Sequence, residues 1–95
     1  MTTTSDIIKN CEGVLARLES VNKANWVLAD YLEYYMTTSM LSTAYLISLS
    51  GDYEESLQQL NRGNTLQELS IKAKAEYDAY AETHPEEVKL LPKNS

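Results

Sequence analysis

The chain has 95 residues, with 8 Lys and Arg against 14 Asp and Glu, a formal charge of −6 at pH 7. That length makes one domain with a modest core, and the negative balance, scattered along the chain, disfavours nucleic acid or an anionic membrane as a direct partner. One cysteine, Cys11, excludes an internal disulfide, and the start MTTTSDIIKN lacks a basic and apolar leader, so a reducing cytoplasm is the expected location.

Met1 to Thr4 read as a frayed tail, and Ser5 as an N-cap with Asp6 in the first turn, where a carboxylate suits the positive end of a helix. A first helix then runs to about Val21. Its seam is Ile7, Cys11, Val14, Leu18 and Val21, at spacings of 4, 3, 4 and 3, widened by Ile8 and Leu15. Gly13 inside it costs up to ~1 kcal/mol relative to alanine, offset only if another helix comes close there. Cys11 reads as a small buried hydrophobe rather than a reactive thiol, with a contact across a two-fold axis left open. Ser20, Asn22 and Asn25 predict a break near Asn22.

Ala24 to Ser50 reads as the long central helix around which the chain is organised. Its large apolar residues cover most of the circumference and leave a narrow wet stripe through Asp30, Glu33, Thr37, Ala44 and Ser48. A helix apolar nearly all round needs several neighbours, more than this short chain supplies, so a second copy is expected. The uncharged window Tyr34 to Gly51 is not a membrane span: its hydroxyl residues, acidic flanks and length fall short of the roughly 20 strongly apolar residues required. Small hydroxylic residues between Met36 and Ala44 suit the close crossing of two copies, their hydroxyls bonding back to carbonyls four residues earlier.

Ser50-Gly51-Asp52 ends that helix, and Asp52 with Glu55 caps the next. The third helix is short, Tyr53 to Arg62, with Tyr53, Leu57 and Leu60 as its apolar stripe; Asn61-Arg62-Gly63-Asn64 predicts its end. A fourth runs from about Leu66 to Glu82 with Leu66, Leu69, Ala73, Tyr77 and Tyr80 on one stripe. His84-Pro85 breaks it, and a last turn from Pro85 to Leu91 would offer Val88, Leu90 and Leu91 to the body, ahead of a disordered tail over 92–95. The expectation is an all-α bundle of about four helices in a single domain, 1–95, completed by dimerisation.

Catalytic templates fail on residue supply. The glycines are isolated, neither G-x-S-x-G nor H-E-x-x-H occurs, and His84 has Ala81 rather than an acid three residues before it. No enzyme, cofactor or metal is therefore expected. Seven tyrosines, one tryptophan and no phenylalanine suit surfaces dry on one side and wet on the other. The expected protein-binding set is Trp26, Tyr31, Tyr34, Tyr35, Met40, Tyr45, Tyr77 and Tyr80, with Trp26 an exposed anchor if the first helix does not fold over it. These features predict a non-enzymatic interaction protein, an adaptor, assembly factor or small regulator, that pairs with itself and with a further protein partner. The alternative is a small acidic inhibitor of a nucleic-acid-handling protein, of the kind viruses and mobile elements encode.

Overall fold

The computed structural model describes residues 3–48 and 52–90. Helix α1, Thr4–Glu19, is capped by Thr3, two residues before the expected Ser5 cap. The Thr3 hydroxyl accepts the Asp6 N–H at 3.1 Å while the Asp6 carboxylate accepts the Thr3 N–H at 3.2 Å. This reciprocal box satisfies two end donors at once, so Thr3 and Thr4 are ordered rather than frayed. The break near Asn22 is present as a 3₁₀ turn, Lys23–Asn25, with the Asn22 side chain accepting the Ala24 N–H at 3.0 Å.

Helix α2, Leu28–Ile47, is the central helix, begun four residues later than the pattern suggested. The 3₁₀ turn and the extended Trp26 and Val27 use up the residues before it. The expected end at Leu49 and Ser50 lies outside the described residues, as does Gly51. Asp52 opens α3, Tyr53–Thr83, by accepting the Glu55 N–H at 3.2 Å, as its D-x-x-E pattern predicts.

Two expected helices are one: α3 passes unbroken through Asn61-Arg62-Gly63-Asn64. Gly63 keeps a negative φ and does not terminate anything. It lets α2 approach. A Cβ at Gly63 would lie 2.7 Å from Leu46 Cδ2, and the buried Ser42 hydroxyl donates to the Gly63 carbonyl at 2.7 Å. The close crossing that small residues in α2 foretold is therefore occupied by the chain's own α3. Gly13, by contrast, meets nothing within 4 Å of where its Cβ would be.

Ser42 meets Gly63 while Tyr31 stacks on Tyr80, so α2 and α3 run antiparallel. α1 lies across them. Cys11 and Leu15 of α1 join Leu41 of α2 and Leu66 of α3 in the core, Arg17 pairs with Glu33, and Glu12 takes both Arg62 at 3.5 Å and the Tyr45 hydroxyl at 3.2 Å. The expected wet stripe of α2 lies largely inside the bundle: Thr37 and Ala44 are buried, Asp30, Glu33 and Ser48 are half-buried, and Glu33 pairs with Arg17 of α1. Small side chains there admit a neighbouring helix, which polarity alone concealed.

The four-residue α4, Pro85–Val88, is not held by apolar side chains, since Val88 and Leu90 are exposed; Leu91 lies outside the described residues. Its anchor is Glu87. That carboxylate accepts the Leu28 N–H, at the start of α2, at 3.1 Å and the Tyr80 hydroxyl at 2.7 Å. The bundle measures 49 × 27 × 25 Å. Its long dimension is set by α3, about 46 Å at 1.5 Å per residue. Among the described residues no helix is long and apolar enough to cross a membrane.

Candidate interaction surface

The eight residues singled out by composition separate into an inner group and an outer one. Trp26, Tyr31, Tyr34 and Tyr80 form a continuous aromatic stack at the start of α2. Trp26 meets Tyr31 edge-on at 5.2 Å and Tyr34 at 5.4 Å, and Tyr31 stacks on Tyr80 at 4.7 Å. The imidazole of His84 continues the stack at 3.8 Å from Tyr80, with Nδ1 3.0 Å from the Tyr80 carbonyl oxygen. Trp26 is buried, so the exposed anchor is not there; its indole N–H has no acceptor among the described residues. Lys23 stands 5.6 Å from its ring and pairs with Glu76 of α3, which closes the cluster from outside.

The electrostatics of this end follow from Glu87. Two donors, the Leu28 N–H first and the Tyr80 hydroxyl second, hold its carboxyl below the usual carboxylate range. The same bond to Glu87 pushes the Tyr80 phenol up to about 12. Tyr45 is likewise raised, by burial first and by the Glu12 charge second. It lies half-buried against the core, and Tyr77 is half-buried on α3. Trp26, Tyr31, Tyr34, Tyr45 and Tyr80 thus make contacts within the bundle, and only Trp26 among them is buried.

Tyr35 and Met40 belong to the outer group. They line an apolar groove of about 450 Å³ between α1 and α2 with Ile7, Met36, Ala44 and Ile47, while Ser39 and Thr43 form its far rim. Met36 and Met40 are each 53% exposed and Ile47 71%. The same Ser39 and Thr43 border a smaller hollow of about 160 Å³ on their other side, against Gln67 and Ser70 of α3. One outward face therefore spans α2 and α3 with Ser39 and Thr43 as its ridge.

Composition missed Met36, Ile47 and the α3 half of this face. The available signal was spacing: Met36, Met40, Thr43 and Ile47 recur at 4, 3 and 4 along α2. With α3 unbroken, Tyr53, Leu57, Leu60, Asn64, Gln67 and Ile71 recur at 4, 3, 4, 3 and 4 along the helix beside it. Tyr53, Leu57, Leu60 and Ile71 are exposed. Neither stripe contains a charged residue, in a protein with a quarter of its residues otherwise available to carry one. Among the described residues no three His, Cys, Asp or Glu side chains gather as a metal site requires.

The chain matches no protein-family model, no curated protein and no solved structure.

Proposed function

We propose that this protein is a non-enzymatic interaction module that works as a helical homodimer and presents its remaining acidic surface to a further protein. The observation that carries the reading is the exposed, uncharged face of α2, where Met36, Met40 and Ile47 stand in water. Isolated exposed apolar residues are ordinary, but a stripe of them at heptad spacing beside a second such stripe is what a helix leaves for another helix. Methionine adds adaptability, since its unbranched chain fills irregular partners.

The inhibitor reading gains nothing comparable. Four of the 14 acids, Glu12, Glu33, Glu76 and Asp78, are paired with the protein's own Arg62, Arg17, Lys23 and Lys74.

Light scattering coupled to size exclusion tests the proposal. A dimer mass at micromolar concentration is expected, with Met40→Glu shifting the population to monomer while far-ultraviolet circular dichroism stays unchanged. A wild-type monomer at high micromolar concentration would overturn it.

A further inference from the structure

Two independent features of the α2 and α3 face, its area and its charge placement, specify how a second copy would sit on it; this step rests on the homodimer reading above. From their fractional exposures, Met36, Met40, Ile47, Leu57, Leu60, Ile71 and Tyr53 offer roughly 800 Å² between them, which is the area one partner contributes to a standard stable interface. A foreign helix on the groove alone would cover only part of it. A second two-helix face of the same shape covers all of it.

Charge fixes the direction. Uncharged at its centre, the α3 stripe is flanked by Asp52 and Glu54 at one end and by Lys72 and Lys74 at the other. These lie at equal distances from Gly63, where α2 and α3 cross: Asp52 and Lys74 are each 11 residues away, Glu54 and Lys72 each 9. At 1.5 Å per residue the four charges sit about 13–17 Å from the crossing. A two-fold axis perpendicular to the helices at this level brings Glu54 of one copy to Lys72 of the other and sets Asp52 opposite Lys74, whose ammonium already pairs with Asp78 of its own chain. The same operation is repeated by symmetry at the opposite end. A two-fold running along the helices would instead set Asp52 and Glu54 beside the carbonyl end of the other copy's α2, where the helix dipole is negative.

We infer that two copies of this chain pack face to face with α2 antiparallel to α2 and α3 antiparallel to α3, about a two-fold axis at the level of Ser42 and Gly63. Thr43, next to the axis, then lies close to its counterpart. Met36 lies six residues from Ser42 and thus about 18 Å from its own counterpart.

Cysteine cross-linking and a charge exchange on the full chain test this. Under mild oxidation Thr43→Cys is expected to form a disulfide-linked dimer rapidly, and Met36→Cys and the wild type, with Cys11 buried, are not. Glu54→Lys is expected to weaken dimerisation about fivefold by placing lysine against lysine, and adding Lys72→Glu to restore it. Sedimentation measures both, and circular dichroism checks that each variant is folded. A dimer in which Met36→Cys links to itself, in which Thr43→Cys fails to link, or in which the exchange gives no restoration overturns this arrangement and leaves the homodimer reading intact. A protein monomeric at high micromolar concentration overturns both.

Discussion

The Ser42 hydroxyl donates to the Gly63 carbonyl oxygen at 2.7 Å, and the missing side chain of Gly63 is what lets α2 come that near. In a helix interior glycine costs about 1 kcal/mol against alanine, so its presence in the middle of a 31-residue helix needs a compensating contact. The Leu46 side chain, resting where a Cβ would be, is that contact.

The two helical glycines should therefore respond oppositely to alanine. Gly63→Ala forces Leu46 away, and overpacking of this kind costs about 1–3 kcal/mol, more than the propensity gain returns. Gly13→Ala meets open space and should stabilise by up to ~1 kcal/mol. Urea denaturation of the pair checks the sign. Equal effects at both positions would contradict the close approach at Gly63.

Glu87 makes stability depend on pH at the acid end. A carboxyl whose folded pKa lies below its unfolded one stabilises the fold above the ordinary carboxylate range, and the contribution is lost as pH falls through the folded value. Glu87→Gln should accordingly lower the melting temperature at neutral pH by a few degrees, with the difference from wild type shrinking in acid. A gap of constant size across that range would show that the charge is not what anchors α4 to the start of α2.

Tyr80 predicts the mirror behaviour in alkali. Its folded pKa of about 12 lies above the ordinary phenol value, so its contribution is complete below the unfolded pKa and disappears as pH rises through the folded one. Titration of tyrosinate absorbance should show a late-ionising phenol in the wild type. Tyr80→Phe should remove that phase and leave the rest of the curve in place.

Trp26 packs inside the aromatic stack, so its emission should be blue-shifted and poorly quenched by iodide in the native protein. Trp26→Ala should cost about 3–5 kcal/mol, as emptying a large aromatic site does. Trp26→Phe keeps a ring against Tyr31 and Tyr34 and removes a buried donor that has no acceptor among the described residues. It should stay within about 1 kcal/mol of wild type by circular dichroism.

Cys11 is raised above the ordinary thiol range, first by burial and then by the Glu12 charge beside it. Maleimide labelling should therefore be slow under native conditions and accelerate in urea. Rapid native labelling would place the thiol outside the core of Cys11, Leu15, Leu41 and Leu66.

Much of the secondary structure follows from local chemistry alone: the turn at Asn22, the Asp52 cap and the stop at His84-Pro85 each use side chains within three residues of the backbone groups they serve. Of the seam that periodicity drew through Ile7, Cys11, Val14, Leu18 and Val21, widened by Ile8 and Leu15, Cys11, Leu15 and Leu18 are buried, whereas Val21 is exposed because α1 ends at Glu19. What the sequence alone did not decide is which neighbour each face meets. Gly63 carries the same local signal whether it ends a helix or admits one, and only Leu46 and Ser42, some twenty residues away in the chain, distinguish the two. Thr37 and Ala44 fall on the stripe that reads as wet and are buried once the helices assemble, while the apolar Met36, Met40 and Ile47 are left in water because α1 and α3 occupy the other sides of α2. Burial is a property of the assembled helices, and a helix circumference has no inside until its neighbours have taken their places.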